Sequence, residues 1–510
     1  MASAVVTGKV CVVKAIARPT KDSEINLEVQ LPLENWNGRY RQLGNGGWAG
    51  IVPSGLLKTA AEQGYASAGT DDGHPRGAGD AAWAIGHPEK LIDFGHRAVH
   101  VTAVHAKSII NAFYGKPANK HYFVGCSDGG REALQEAQRY PEDFDGIVAG
   151  APAYDWSHHF AGFVWNAQAL RKDPAGFIPH AKLPVIQNAA LAACDKIDGV
   201  EDGLVEDPRD CKFNPDVLLC KNGDAADCLT APQLAALKKI YAGPRNPRTG
   251  RQIYPGYPPS TEAIGNEWAN WILGKPPADS IQMMFGNSFF GQAVYENPHW
   301  NYLSMEFDND VAYGDQKAGV HINSNNSDLR SFRANGGKLL MYHGWADGAI
   351  SAYSSIDYYN NVLSFLARYP DGRAQAKTPV QDFFRLFMVP GMGHCGGGNG
   401  PNRFGNGNNA PHDPNRNIVA ALERWVEQGT APDKIIAQGA KPDFTRPLCP
   451  YPQKVTYNGS GNPNDAASFS CKQPPAVSPT PLAPPPSKRR RSRCRRHSSS
   501  GPSPRRSDTP

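Results

Sequence analysis

Apolar residues recur along this chain in two alternating textures: short β-branched or aromatic runs, and longer stretches with helical spacing. Strand-like runs fall at residues 10–17, 26–32, 39–43, 121–124 and 146–149, with helical patterns between them such as 91–113. Strand, helix and strand in succession predict βαβ units and a mostly parallel sheet. After "DGIVAGAPAYDW" the texture changes. Residues 153–335 carry little strand signal, much Pro, Gly and Asn, four cysteines and many aromatics, the pattern of an inserted lid. The sheet pattern resumes at "GGKLLMYHGWADG" with a strand over 338–342, continues through a helix over 351–368, and returns at 383–389 in "DFFRLFMVPGMGHCGGG". Residues 1–152 and 336–472 therefore read as two parts of one core. Residues 473–510 are Pro-, Ser- and Arg-rich and are expected to be a disordered tail, because such a composition cannot build a core.

Composition changes this picture in two places. The net charge of +5 suggests a basic protein, but the tail alone holds nine Lys or Arg against one Asp, which leaves the body at about −3. The body asks for no nucleic acid, and no apolar run is long enough to span a bilayer. Ten cysteines point to an oxidising compartment. Three pairs lie close in sequence: Cys194 with Cys211, Cys220 with Cys228, and Cys449 with Cys471. The N-terminus pulls the other way, since Gly8 and Lys9 interrupt its apolar residues and leave no signal-peptide core. Either the chain is cytosolic with reduced thiols, or its start lies downstream of the natural one.

Candidate chemistry begins at "HYFVGCSDGGREAL". A β-branched and aromatic run, a Gly-x-Ser-x-Gly turn around Ser127 and a helix-forming stretch from Arg131 read as strand, tight turn and helix, the context that exposes a nucleophilic serine. Asp347 follows the strand 338–342 and His394 follows the strand 383–389. Serine, acid and histidine in that order, each on a loop after a strand, match an α/β-hydrolase. His343 is the rival imidazole, but it precedes the acid on the same strand end. Asp128 and Asp310 are weaker acid candidates. Cys126 precedes Ser127 and Cys395 follows His394, so a disulfide between them would hold nucleophile and base side by side, worth on the order of 5 kcal/mol at most in the chain-entropy model. Two buried free thiols, or a Cys126 nucleophile, are the alternatives.

Taken together, "GCSDGGREAL", "HGWADGAIS", "PGMGHCGGG", "WNGRYRQLGNGGWAG" and "CDKIDGVEDGLVEDPRDC" resemble the tannase and feruloyl esterase family, over nearly the whole chain except the tail. The resemblance implies an α/β-hydrolase fold with a large inserted lid, a Ser127–His394–Asp347 triad and a Cys126–Cys395 bridge. It further implies export, secreted or periplasmic, and hydrolysis of esters of aromatic carboxylic acids such as small aromatic, polyphenol or cell-wall esters, with calcium bound in the lid.

Other residues then take expected roles. The oxyanion hole needs two main-chain N–H donors; Asp128 supplies one, and "GNGG" supplies the other through Gly47, with Gly46 next. Asp195, Asp198 and Asp202 fall within eight residues, and Gly199 and Gly203 permit the chain to curl there. With the carbonyls of Val200 and Leu204 they form a plausible shell of hard oxygens for a structural calcium ion. Trp268, Trp271, Phe285, Phe289 and Phe290, with Tyr295 and Trp300 nearby, offer apolar surface for an aromatic acyl group. No Arg lies between Gln252 and Leu329, which favours a neutral acyl group over a terephthalate monoester. An acyltransferase or aromatic monoester hydrolase on the same triad, a serine peptidase, and a nonhydrolytic calcium-dependent binding protein are the competing classes. Cys11 and Cys494 are left without partners. The odd thiol at Cys11 leads us to expect a natural chain that begins before Met1 with a signal peptide and a cysteine-bearing segment.

Overall fold

The structure is a computed structural model and describes residues 2–75, 77, 79–275, 279–369, 380–407, 410–441 and 443–474. The expected tail, with Cys494, lies outside the described residues apart from Gln473 and Pro474. Nine strands form the central sheet: β1 (Ala2–Thr7), β2 (Val10–Ala17), β3 (Ile25–Pro32), β4 (Arg39–Leu43), β5 (Ala66–Thr70), β6 (Lys120–Cys126), β7 (Gly146–Gly150), β8 (Lys338–Gly344) and β9 (Phe384–Val389). Their spatial order is β1-β2-β3-β5-β4-β6-β7-β8-β9. Strands β4 to β9 run parallel to one another, whereas β1, β2 and β3 join antiparallel at one edge. This is the α/β-hydrolase fold.

Two strands of this sheet escape the hydrophobic pattern. β1 pairs with β2 through a two-residue turn in which Gly8 takes a positive φ of 63°, so the residues that interrupt the N-terminal apolar run are a hairpin tip. β5, "ASAGT", is buried along its length but has no large apolar residue to announce it. The predicted helix 91–113 is a short helix Pro88–Ile92, a wide π turn Asp93–Arg97, and a long helix Ala98–Tyr114.

Alternate residues of the parallel strands feed two cores, as the two-residue period of a strand requires. Phe123, Ile147, Leu339, Met341 and Leu386 pack on one face of the sheet. Tyr122, Val148, Leu340, Tyr342 and Phe387 pack on the other, against the helix Ile418–Gln428. The inserted segment leaves after β7 and re-enters at β8. Those strands are direct neighbours, with Gly146 opposite Lys338, so the sheet passes beneath the insertion unbroken. The insertion is built around helices such as Trp156–Arg171, Leu183–Cys194 and Ala231–Ala242. Its aromatic residues merge with Trp48, Trp83 and Ile350 from outside it into one buried cluster. Cys11 is buried in β2 as a free thiol.

The helix after Ser127 sits hard against the end of β7. A Cβ on Gly130 would lie 2.3 Å from the Gly150 carbonyl oxygen and 2.8 Å from the Pro152 Cα. Gly130→Ala should therefore lower stability by about 1–3 kcal/mol through overpacking. Calorimetry showing an unchanged melting temperature would refute that close fit.

Candidate active site

Ser127 occupies the turn between β6 and the helix Asp128–Arg139, with φ 66° and ψ −121°. That conformation is strained for a residue with a Cβ. Close neighbours impose it. A Cβ on Gly125 would meet the Gly129 carbonyl oxygen at 2.3 Å, and one on Gly129 would meet the Asn45 carbonyl oxygen at 2.9 Å. Both glycines of the Gly-x-Ser-x-Gly frame are thus required by contact, and the serine sits at the apex of the turn.

The three residues read from the sequence come together. The Ser127 Oγ lies 2.9 Å from His394 Nε2, and His394 Nδ1 lies 2.8 Å from Asp347 Oδ2. Asp347 Oδ1 accepts the N–H groups of Ala349 and Ile350, both at 2.8 Å, which fixes the carboxylate plane. Burial opposes ionisation of Asp347, but the His394 and His343 imidazoles outweigh it and hold the carboxyl well below its ordinary range. Burial likewise disfavours a charged His394. The Asp347 carboxylate overcomes this and raises the imidazole pKa. The imidazole can therefore take the serine proton and share the resulting charge with a buried carboxylate.

The rival residues have other work. His343 is fully buried, with Nδ1 2.7 Å from the Ser355 hydroxyl and Nε2 3.2 Å from Asp347 Oδ2. It sits beside the acid and makes no hydrogen bond to the serine. Asp128 pairs with Arg131, and Asp310 accepts from the Tyr295 hydroxyl. Cys126 and Cys395 are joined, with Cα atoms 5.9 Å apart, so the loops that carry Ser127 and His394 are covalently tied. The other three expected bridges, Cys194–Cys211, Cys220–Cys228 and Cys449–Cys471, are formed as well.

One tether was invisible in the sequence. Glu267, from the insertion, accepts the Gly348 N–H at 3.0 Å beside Asp347, and its other oxygen packs against Gly393, next to His394. It clasps the acid and base loops together. No local pattern around "GNEWAN" announces such a residue.

In "GNGG", the Gly44 N–H donates to the Val124 carbonyl at 3.0 Å and the Asn45 N–H to Glu132 Oε2 at 3.0 Å. The N–H groups of Gly46 and Gly47 have no acceptor among the described hydrogen bonds, nor has that of Asp128 at the helix start. Gly46 and Gly47 line the cavity above Ser127, and Gly47 has a positive φ of 59°. These are the free donors a developing oxyanion needs.

That cavity measures about 410 Å³. Trp271 and Phe285 line it, as expected. Trp268, Phe289 and Phe290 do not: each is buried in the packing of the insertion, because helical spacing turns them toward its core. Tyr295 and Trp300 stack on one another away from the cavity wall. Their places are taken by Trp156, Phe160 and Phe163 from the first helix of the insertion, with Ala349 and Ile350. The run "WSHHFAGFVW" could have signalled this, since it begins just after β7. Among the described residues, no Arg or Lys lines the cavity. His159 does, and burial drives its pKa down to about 3, so its imidazole is neutral.

The aspartate loop contributes no side chain to the hydrogen-bonded line of Ser127, His394 and Asp347, although its Leu204 packs against Gly391 of the His394 loop. Asp195 accepts from the Gly203 N–H, Asp198 from those of Val200 and Glu206, and Asp202 from that of Leu204. Buried Glu206, which sequence reading overlooked, joins them. Burial first, and then neighbouring carboxylates, push Asp198 up to about 6 and Glu206 up to about 8 although Arg446 stands beside them. The carbonyls of Val200 and Leu204 accept no described hydrogen bond. Crowded acids and free carbonyls are a donor set that fits a hard cation.

The chain matches the family model described as tannase and feruloyl esterase over residues 6–472. An uncharacterised esterase of Xanthomonas campestris pv. campestris is 41% identical over 488 residues, covering 91% of this chain and 84% of that protein. A probable feruloyl esterase B-2 of Aspergillus terreus is 32% identical over 486 residues, covering 91% and 86%. The crystal structure of feruloyl esterase B from Aspergillus oryzae superposes with a TM-score of 0.83 at 29% identity, covering 91% of both chains. The chain belongs to the tannase and feruloyl esterase family and is a carboxylic ester hydrolase.

Proposed function

We propose that this chain hydrolyses neutral esters of aromatic carboxylic acids, of the feruloyl or galloyl type, through an acyl-enzyme on Ser127. The hydrogen-bonded line Ser127–His394–Asp347, opening onto an aromatic cavity, carries the reading. The aromatic acyl group lies among Trp156, Phe160, Trp271 and Phe285 with its carbonyl over Ser127. His394 takes the hydroxyl proton as Oγ attacks, and returns it to the leaving alcohol. The N–H groups of Asp128 and Gly47 hold the oxyanion. Water then repeats the sequence in reverse roles and frees the acid. The cavity's described lining holds no Arg or Lys to partner a second carboxylate, which supports a neutral acyl group over a terephthalate monoester.

Calcium in the loop belongs to the same proposal, with Asp195, Asp198, Asp202 and the carbonyls of Val200 and Leu204 as its ligands and Glu206 close by. Its role is structural, neutralising acids that otherwise repel. So is export, which the four disulfides support.

Ser127→Ala should leave folding intact while turnover of methyl ferulate or methyl gallate falls by several orders of magnitude. Near-normal turnover would dismiss the acyl-enzyme. The rate should also fall as pH drops through the His394 pKa, because a protonated imidazole cannot accept the serine proton. Since the Asp347 carboxylate raises that pKa, Asp347→Asn should move the acid limb to lower pH as well as reducing kcat; a limb that stays put in the pH profile counts against the pairing. For the loop, a chelator or Asp198→Asn should lower the melting temperature by several degrees, as loss of a ligand bound to the folded state must. Metal analysis that finds no calcium in fully stable protein would remove the site.

A further inference from the structure

Beneath the elbow lies a group of acids that the triad does not use. Asp72, Asp128 and Glu132 are each almost wholly buried, and one oxygen of each lies within 4.8 Å of the others. Among the described residues, one positive charge answers them. Arg131, also fully buried, donates Nε to Asp128 Oδ1 at 2.5 Å and spends the rest of its guanidinium on the carbonyls of Gly95 and Phe94. Four oxygens remain without a donor: both of Asp72, Oδ2 of Asp128 and Oε1 of Glu132. Three ionised carboxyls around one guanidinium would leave two uncompensated charges in the core, which no fold sustains cheaply. A proton on Asp72 resolves this, turning an acceptor without a donor into a donor toward neighbours that lack one. Burial, then the neighbouring Glu132 carboxyl, holds Asp72 well above the ordinary range and Asp128 at about 7.

The remaining oxygen of Glu132 reaches the catalytic loop. Its Oε2 accepts the Asn45 N–H at 3.0 Å, while the Asn45 carbonyl accepts the Gly129 N–H at 2.8 Å. Asn45 is thus gripped on both sides from the first turns of the elbow helix. The fit is close, since a Cβ on Gly44 would meet Glu132 Oε2 at 2.6 Å and the Gly129 Cα at 2.7 Å. Gly46 and Gly47 follow immediately, at the cavity wall.

We propose that Glu132 is a positioning residue for the oxyanion hole, setting the Gly46–Gly47 donors through Asn45 while a proton held by Asp72 keeps its acid cluster in register. This rests on the reading of Ser127 as nucleophile and of these N–H groups as oxyanion donors. Glu132 touches no reacting atom. What it supplies is an acceptor in a fixed place, so an amide should serve where a thioether cannot.

The test compares Glu132→Gln with Glu132→Met, two changes of nearly conserved volume. Two rates are read on each variant and on the wild type: kcat and KM on methyl ferulate, and the rate at which an aryl phosphonate labels Ser127. Glu132→Met should slow labelling and kcat together, on the order of 10- to 100-fold, with KM little changed; Glu132→Gln should recover most of that loss. Wild-type labelling in Glu132→Met, or a Gln variant as impaired as the Met variant, would overturn the proposal. If Glu132→Met does not fold, Asp72→Asn against Asp72→Leu makes the same comparison, with the amide again expected to preserve the rate and equal rates overturning the idea. Labelling separates this inference from the function beneath it: wild-type protein that labels but turns over no aromatic ester would reject the substrate reading and leave Glu132 still decidable.

Discussion

The backbone of Ser127 is the constraint on which the rest of the site depends. A serine held at φ 66° costs about 1–3 kcal/mol, and it persists only where its surroundings over-determine it. Here they do so from several directions. Its N–H donates to the Gly150 carbonyl at 3.0 Å, and its carbonyl accepts from Gly130, Arg131 and Ala153, each at 3.1 Å. The two peptides flanking this one residue therefore lock β6, the elbow helix and the end of β7 together. The hydroxyl is aimed by this framework before any substrate arrives, which is why the surrounding glycines have no room to be anything else.

The partners of the serine are fixed by chemistry of three kinds. A covalent bridge ties the His394 loop to the elbow, hydrogen bonds from Ala349 and Ile350 set the plane of Asp347, and the carboxylate of Glu267 spans the two loops. His343 adds a fourth contact at the acid without competing for the serine. Asp347 is buried yet ionised because two imidazoles and two main-chain donors face it, the condition a buried carboxylate needs. The arrangement is rigid at the acid and base, and the free N–H groups lie opposite.

Much of this was legible in the chain. The parallel strands announce themselves by β-branched residues, and the elbow, acid and base by their place after those strands; adjacent cysteines marked which loops are joined. What escaped notice escaped for physical reasons. β5 carries small residues because Pro53 and Leu57 pack against it, so its hydrophobic signal is faint. The aromatic wall was misassigned in part because Phe289, Phe290 and Trp268 are as apolar as true lining residues, and only helix orientation decides which ring faces the cavity. Glu267, Glu206 and Glu132 are single acids in ordinary sequence. Glu267 and Glu132 act through contacts across long separations in the chain, which no local pattern encodes, and Glu206 lies within the aspartate loop but meets Arg446 from far along the chain.

The insertion departs from and returns to two strands that lie side by side, and it carries most of the aromatic wall while the sheet loops carry Ser127, Asp347 and His394. On the proposed reading, chemistry and taste are therefore inherited on separate stretches of one gene. Drift within the insertion can retune which acyl group is admitted, or a related insertion can be exchanged whole at the β7–β8 junction, provided the replacement brings a carboxylate to the place that Glu267 now fills. Diversification of such esterases is expected to run along that seam.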